Sequence, residues 1–111
     1  MAAYARGDYR DAAELLSAAL EAAPSPGVSF YLGIARLEAG PAESALDAFR
    51  AALDPPKNPY AADAHFYLAK AWLRLGEADS ALAHLNAVPP SAARLHDQAS
   101  ALADNVREVI R

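Results

Sequence analysis

The chain reads as an all-α protein, an array of antiparallel helix hairpins, on three observations. Apolar residues recur at three- and four-residue spacing through most of its 111 residues, the period of a helix with one buried face. The stretch from Phe30 to Leu53 reads as two such helices with a sharp break at Gly40-Pro41, and weaker copies of it lie on both sides. Strand formers are scarce, because Ala is by far the commonest residue, Thr is absent and β-branched residues are few.

The central hairpin sets the pattern. Tyr31, Leu32, Ala35 and Leu37 to Ala39 mark one broad apolar face of its first helix. Gly33 lies inside that face, where a glycine costs about 1 kcal/mol against Ala, so a close approach of a neighbouring backbone is expected there. Gly40 is expected to end the helix at positive φ. Pro41 suits the first turn of the next helix. Ala45, Leu46, Phe49, Ala52 and Leu53 then form a second buried stripe, with Ala45 small enough for a helix crossing and Phe49 filling space one turn on.

Both copies keep a constant register. Leu68, Ala69, Trp72, Gly76, Ala81 and Leu85 stand 36 residues after Leu32, Gly33, Arg36, Gly40, Ala45 and Phe49. Gly7, Ala12, Leu16, Ala19 and Leu20 stand 33 residues before Gly40, Ala45, Phe49, Ala52 and Leu53. Several positions sharing one offset point to internal repetition.

On these residues the chain resembles the tetratricopeptide repeat (TPR) family, whose unit is a helical hairpin of about 34 residues with the pattern W-x2-L-G-x2-Y, then A-x3-F, then P. The central unit carries Leu32-Gly33, Ala45-x3-Phe49 and Pro55. The third carries Leu68-Ala69, Trp72 at the Tyr position, Ala81-x3-Leu85 and Pro89. The first carries only a second half: Gly7-Asp8-Tyr9, Ala12-x3-Leu16 and Pro24. Ser29 and His65 occupy the Trp position, and Arg36 the Tyr position of the central unit. The resemblance implies a right-handed superhelical α-solenoid in one domain: a partial repeat over 1–24, repeats over 25–58 and 59–90, and a capping helix over 91–111.

Taken in order, Met1 to Arg6 reads as the last turns of a helix that begins outside this chain, which suggests a fragment of a longer protein. Gly7 breaks it, and Asp8 caps a helix over about 9–23 that buries Ala12, Leu15, Leu16, Ala19 and Leu20. Ser25 caps the next helix, with Pro26 at its first position. After the central hairpin, Asp54 to Pro59 holds three prolines in a stiff connection. Asn58-Pro59 is expected to repeat the cap-plus-proline start for a helix to about Leu75. Gly76 ends that helix, and a short one over about 78–87 stops before Pro89-Pro90. Ser91 is expected to cap the last helix. There Leu95, Ala99, Leu102, Val106 and Val109 make one apolar face, and Arg94, Asp97, Asp104, Arg107 and Glu108 the wet one. Two heptads are too few for a coiled-coil arm, so this helix reads as the array's cap.

Composition narrows the function. A net charge of −4 argues against general nucleic-acid binding. Without cysteine there is no disulfide, thiol chemistry or thiolate metal site. No apolar run reaches the roughly 18 residues of a membrane span, and no signal peptide is visible. The compartment, cytoplasmic or periplasmic, stays open. His65, His84 and His96 show no i, i+4 pairing and no HExxH, so no metal site is expected. Dinucleotide, P-loop and nucleophile-elbow motifs are missing as well. The expectation is a non-enzyme with no cofactor.

The resemblance also implies a site, because the first helices of stacked hairpins line a concave side that commonly holds a peptide. The family's groove positions fall on Phe30, Ile34, Leu37 and Glu38, and on Asp63, Phe66, Lys70, Leu73 and Arg74. Spacing agrees, since Phe30, Ile34, Leu37 and Phe66, Lys70, Leu73 each follow i, i+4, i+7, and it equally leaves open that Phe30 and Phe66 are plain core. Lys70 and Arg74 could meet a carboxylate. Ile34 stands where chaperone-binding members of the family place an Asn, so the expected partner is a protein or peptide presenting an apolar or amphipathic segment. The same residues leave open a structural or oligomerisation spacer in a larger protein that is membrane-anchored or secreted, covering the aromatics with its own helix or a second copy.

Overall fold

The structure, a computed structural model, describes residues 8–54 and 58–109. The expected stub from Met1 to Arg6, the break at Gly7 and the prolines at Pro55 and Pro56 lie outside the described residues. Among the described residues there are six helices and no strand: α1 (Tyr9–Ala22), α2 (Pro26–Ala39), α3 (Glu43–Ala51), α4 (Ala61–Arg74), α5 (Ala78–Asn86) and α6 (Ala93–Val109).

Two helix starts follow the local chemistry. The Asp8 side chain accepts from the Asp11 amide at 3.3 Å. Ser25 Oγ accepts from the Val28 amide at 3.1 Å, with Pro26 opening α2. Each side chain satisfies an amide that the first turn leaves without a helical partner.

Elsewhere the turns depart from expectation. Gly40 has φ 177°, ordinary extended backbone, so the first hairpin turn does not use a left-handed glycine. The second does: Gly76 sits at φ +78°. Its amide bonds Leu73 O at 3.1 Å while the Glu77 amide bonds Trp72 O at 2.9 Å, which together close the last turn of α4. Pro41 stands before α3 rather than in it, and its carbonyl accepts from the Ser44 amide and from Ser44 Oγ at 2.7 Å. Asn58 is a loop clasp, not a cap. Its carboxamide oxygen accepts from the Tyr60 amide at 2.7 Å and its Nδ2 donates to Ala52 O at 2.7 Å, so α4 begins only at Ala61. Ala92, not Ser91, immediately precedes α6, and its carbonyl takes the His96 amide.

Each helix packs on the next in sequence, and α2 also meets α4 as α4 meets α6. That is the neighbour pattern of stacked hairpins, and the extents of 43 × 27 × 22 Å suit a row more than a bundle. The interior divides accordingly into successive layers. Ala12 and Leu16 of α1 meet Leu32 and Ala35 of α2 and Ala48 of α3. Phe30, Leu37, Phe49 and Leu68 centre the next layer, and Phe66, Leu85, Val88 and Ala99 the last. Tyr67 and Trp72 of α4 pack against both of these last two layers.

Gly33 is explained by a ring, not by a backbone. A Cβ there would lie 2.5 Å from two carbons of the Phe49 ring, which is itself 0% exposed. Ala45 is fully buried in the same layer.

The end helices keep less than expected. In α1 only Ala12 and Leu16 are buried, while Leu15 and Ala19 face outward, because α2 is the main helix packed on α1 among the described residues. In α6 the buried residues are Ala99, Ala103 and Val106, with Leu95 and Leu102 half-buried and Val109 84% exposed. All five residues of its expected wet face are exposed.

Candidate functional site

A helical residue advances about 100° around the axis. On α2, Tyr31 and Glu38 are exposed and Ile34 half-buried, within one arc of about 60°. On α4, Lys70 and Arg74 are exposed and Asp63 and Tyr67 half-buried, and they occupy the same arc. Tyr67, Lys70 and Arg74 stand at the repeat offset from Tyr31, Ile34 and Glu38. The two first helices therefore present one composite band.

The sequence-derived set is centred about 60° away from this band. Phe30 (6% exposed), Leu37 (2%) and Phe66 (7%) are core residues, taken up by Phe49, Leu68, Leu85 and their neighbours. Ile34, Lys70 and Arg74 remain on the accessible side. Leu73 is half-buried and turns toward α6. Tyr31, 42% exposed, and Tyr67 were not singled out by groove spacing. The signal that finds them is the repeat offset itself, applied to the residue after each buried Phe.

The band is organised by aromatic rings and two cations. The Phe30 ring lies 5.3 Å from Tyr31, 5.7 Å from Tyr67 and 5.8 Å from Tyr60, centroid to centroid. Lys70 Nζ sits 4.7 Å above Phe66 and 5.1 Å above Tyr67, where the ring faces attract a cation. Arg74 Nη1 donates to Leu37 O at 2.6 Å, and Nη2 lies 3.8 Å from the Glu38 carboxylate. Arg74 thus fastens α4 to the end of α2, and the Lys70 ammonium lies over an aromatic floor. Partial burial pushes the Asp63 carboxyl above its ordinary pKa. With Glu38 and Asp63 against Lys70 and Arg74, the band carries both signs in balance.

A separate apolar cleft of about 400 Å³ lies where Leu73, Gly76 and Ala78 meet Leu102, Val106 and Val109. It joins the end of α4 to the second half of α6.

The structure also brings together two histidines that sequence spacing keeps apart. His65 Nδ1 of α4 lies 3.1 Å from His84 Nδ1 of α5. An antiparallel hairpin turning at Gly76 sets residues on either side of the turn opposite each other, and that was the available clue. His96 is separate, with Nδ1 2.9 Å from Val88 O. Burial lowers the pKa of both paired histidines, and for His84 the charges of His65 and Arg50 lower it further. The unfolded chain then binds protons that the folded chain resists, so stability falls as pH drops below about 6.5. Thermal melts between pH 7.5 and 5.5 are expected to show a falling midpoint. The double variant His65→Gln/His84→Gln is expected to flatten that slope.

Among the described residues no three His, Cys, Asp or Glu side chains gather as a metal site, and no helix is long and apolar enough to cross a membrane. A family model described as a tetratricopeptide repeat matches residues 1–62 and again residues 56–96. No curated protein matches the chain.

Proposed function

The chain belongs to the tetratricopeptide repeat family, whose repeats mediate contacts between proteins, and on that premise we propose that it is a non-catalytic binding module for a short amphipathic segment of a partner protein. The segment lies along the band formed by Tyr31, Ile34 and Glu38 of α2 and Tyr67, Lys70 and Arg74 of α4. One observation carries this reading: the exposed arcs of two successive first helices coincide, one repeat apart, and put aromatic and charged side chains side by side. Such a band gives a partner apolar contact through Tyr31, Ile34 and Tyr67, and orientation through Lys70 and the Arg74–Glu38 pair. Of the family's groove positions, Phe30, Leu37 and Phe66 support the floor from beneath.

The test starts with selection of peptides from a displayed library on the intact chain. Lys70→Glu combined with Tyr31→Ala is expected to weaken the selected peptide at least about tenfold, equivalent to about 1.4 kcal/mol. Ile34→Ala should weaken it by less, and neither variant should alter the helical circular dichroism, whereas Ile34→Asp would set a charge against the central layer on which Ile34 packs. Phe66→Ala is a poor probe because it opens the core. Undiminished binding by the double variant would remove the band from the interface.

The apolar cleft at Leu73, Leu102, Val106 and Val109 favours a second reading, an assembly spacer that buries the cleft against another helix. Light scattering separates the two, since the binding module is a monomer and the spacer self-associates.

A further inference from the structure

The strongest feature that protein binding leaves unused is the His65–His84 pair. We propose that it is a two-imidazole site for a divalent transition-metal ion of the zinc, nickel and copper class, bridging α4 and α5.

The geometry argues for this. The two Nδ1 atoms are 3.1 Å apart, with ring centroids at 5.3 Å and planes at 33°. A tetrahedral ion bound through nitrogens at about 2.0–2.1 Å needs its ligand atoms about 3.3 Å apart. The pair is therefore within a few tenths of an ångström of a chelate, on two helices already locked together by Ala69, Ala81 and Leu85. Imidazole nitrogen suits this class of ion and not calcium or magnesium.

The protonation states suit it too. At 3.1 Å one Nδ1 must carry a hydrogen and the other accept it, and with burial lowering both pKa values the two rings are neutral at about pH 7.5. On binding, the shared hydrogen leaves its Nδ1 and that ring is protonated at Nε2 instead. Both Nδ1 lone pairs then face the ion, and no net proton is released.

Water completes the coordination. No third His, Cys, Asp or Glu joins the pair among the described residues. His65 also lines a cavity of about 460 Å³ with Asn58, Ala62 and Ser91 that opens to solvent. Arg50 works against the ion, since its charge already disfavours a cation at His84. The site is thus a modest one, tuned downward by that guanidinium.

The experiment titrates tag-free protein at pH 7.5 with zinc, nickel or copper chloride, read by calorimetry and by thermal melting. We expect saturable one-to-one binding and a midpoint raised by several degrees, because the ion favours the folded chain. Chelator should reverse the shift. His65→Gln and His84→Gln should each abolish it, His96→Gln should leave it intact, and Arg50→Gln should tighten binding. Absence of saturable binding to the folded wild-type chain, or binding that survives in His65→Gln and His84→Gln, overturns the site and leaves the pair as a packing hydrogen bond.

Discussion

Phe49→Ala lowers stability by about 3–5 kcal/mol, the cost of emptying a fully enclosed aromatic site. Phe49 has no exposed surface. Its ring lies 6.1 Å from Phe30 and stacks on Tyr67 at 6.1 Å. Truncation removes contacts to α2 and α4 together, and helices cannot collapse into the hole without pulling the hairpin apart. Single domains of this size hold about 5–15 kcal/mol in total, so the variant stands near the edge of folding. Urea unfolding followed at 222 nm measures it. A loss under about 1 kcal/mol would mean that the central hairpin closes without this ring.

Gly33→Val costs about 2–3 kcal/mol by the opposite route, overpacking. Its Cβ alone would fall 2.5 Å from the Phe49 ring, and that ring is fully enclosed, with 0% of its surface exposed. Helix propensity favours most residues over Gly by up to about 1 kcal/mol, so the clash has to outweigh that gain. The two sites share one volume, and their effects should not add. In the double variant Gly33→Val/Phe49→Ala the new methyls enter the space that the ring left. The double should therefore be more stable than the sum of the singles by about 1–3 kcal/mol. Simple additivity would show that Gly33 and Phe49 do not meet.

These two residues also show what the sequence makes legible. The repeat offset located both, because a hairpin that packs on its own copy must keep its small and large positions in register. What the register could not supply was the identity of the atoms in contact, so a backbone was expected where a ring lies. Helix boundaries were legible where a side chain caps them, as at Asp8 and Ser25. They were misread at Pro41, Asn58 and Ser91, where the polar or rigid residue shapes the loop instead. The groove positions that the resemblance implies divide for a related reason, Phe30, Leu37 and Phe66 being buried while Lys70 and Arg74 are exposed. Apolar spacing finds the stripe that is buried, and that is where Phe30, Leu37 and Phe66 lie, while Tyr31, read from the same spacing as part of the apolar face, is 42% exposed. The histidine pair was invisible to any rule that reads one helix at a time.

Tyr67 holds an unusual position in this row of hairpins. It borders two interior layers and also shows an edge to the band beside Lys70. A guest resting on that ring leans on both compartments at once, so peeling away either flank would first require dislodging it. Tyr67 already belongs to both compartments, so losing either hairpin strips packing from the same ring, and a bound guest would tighten that shared dependence.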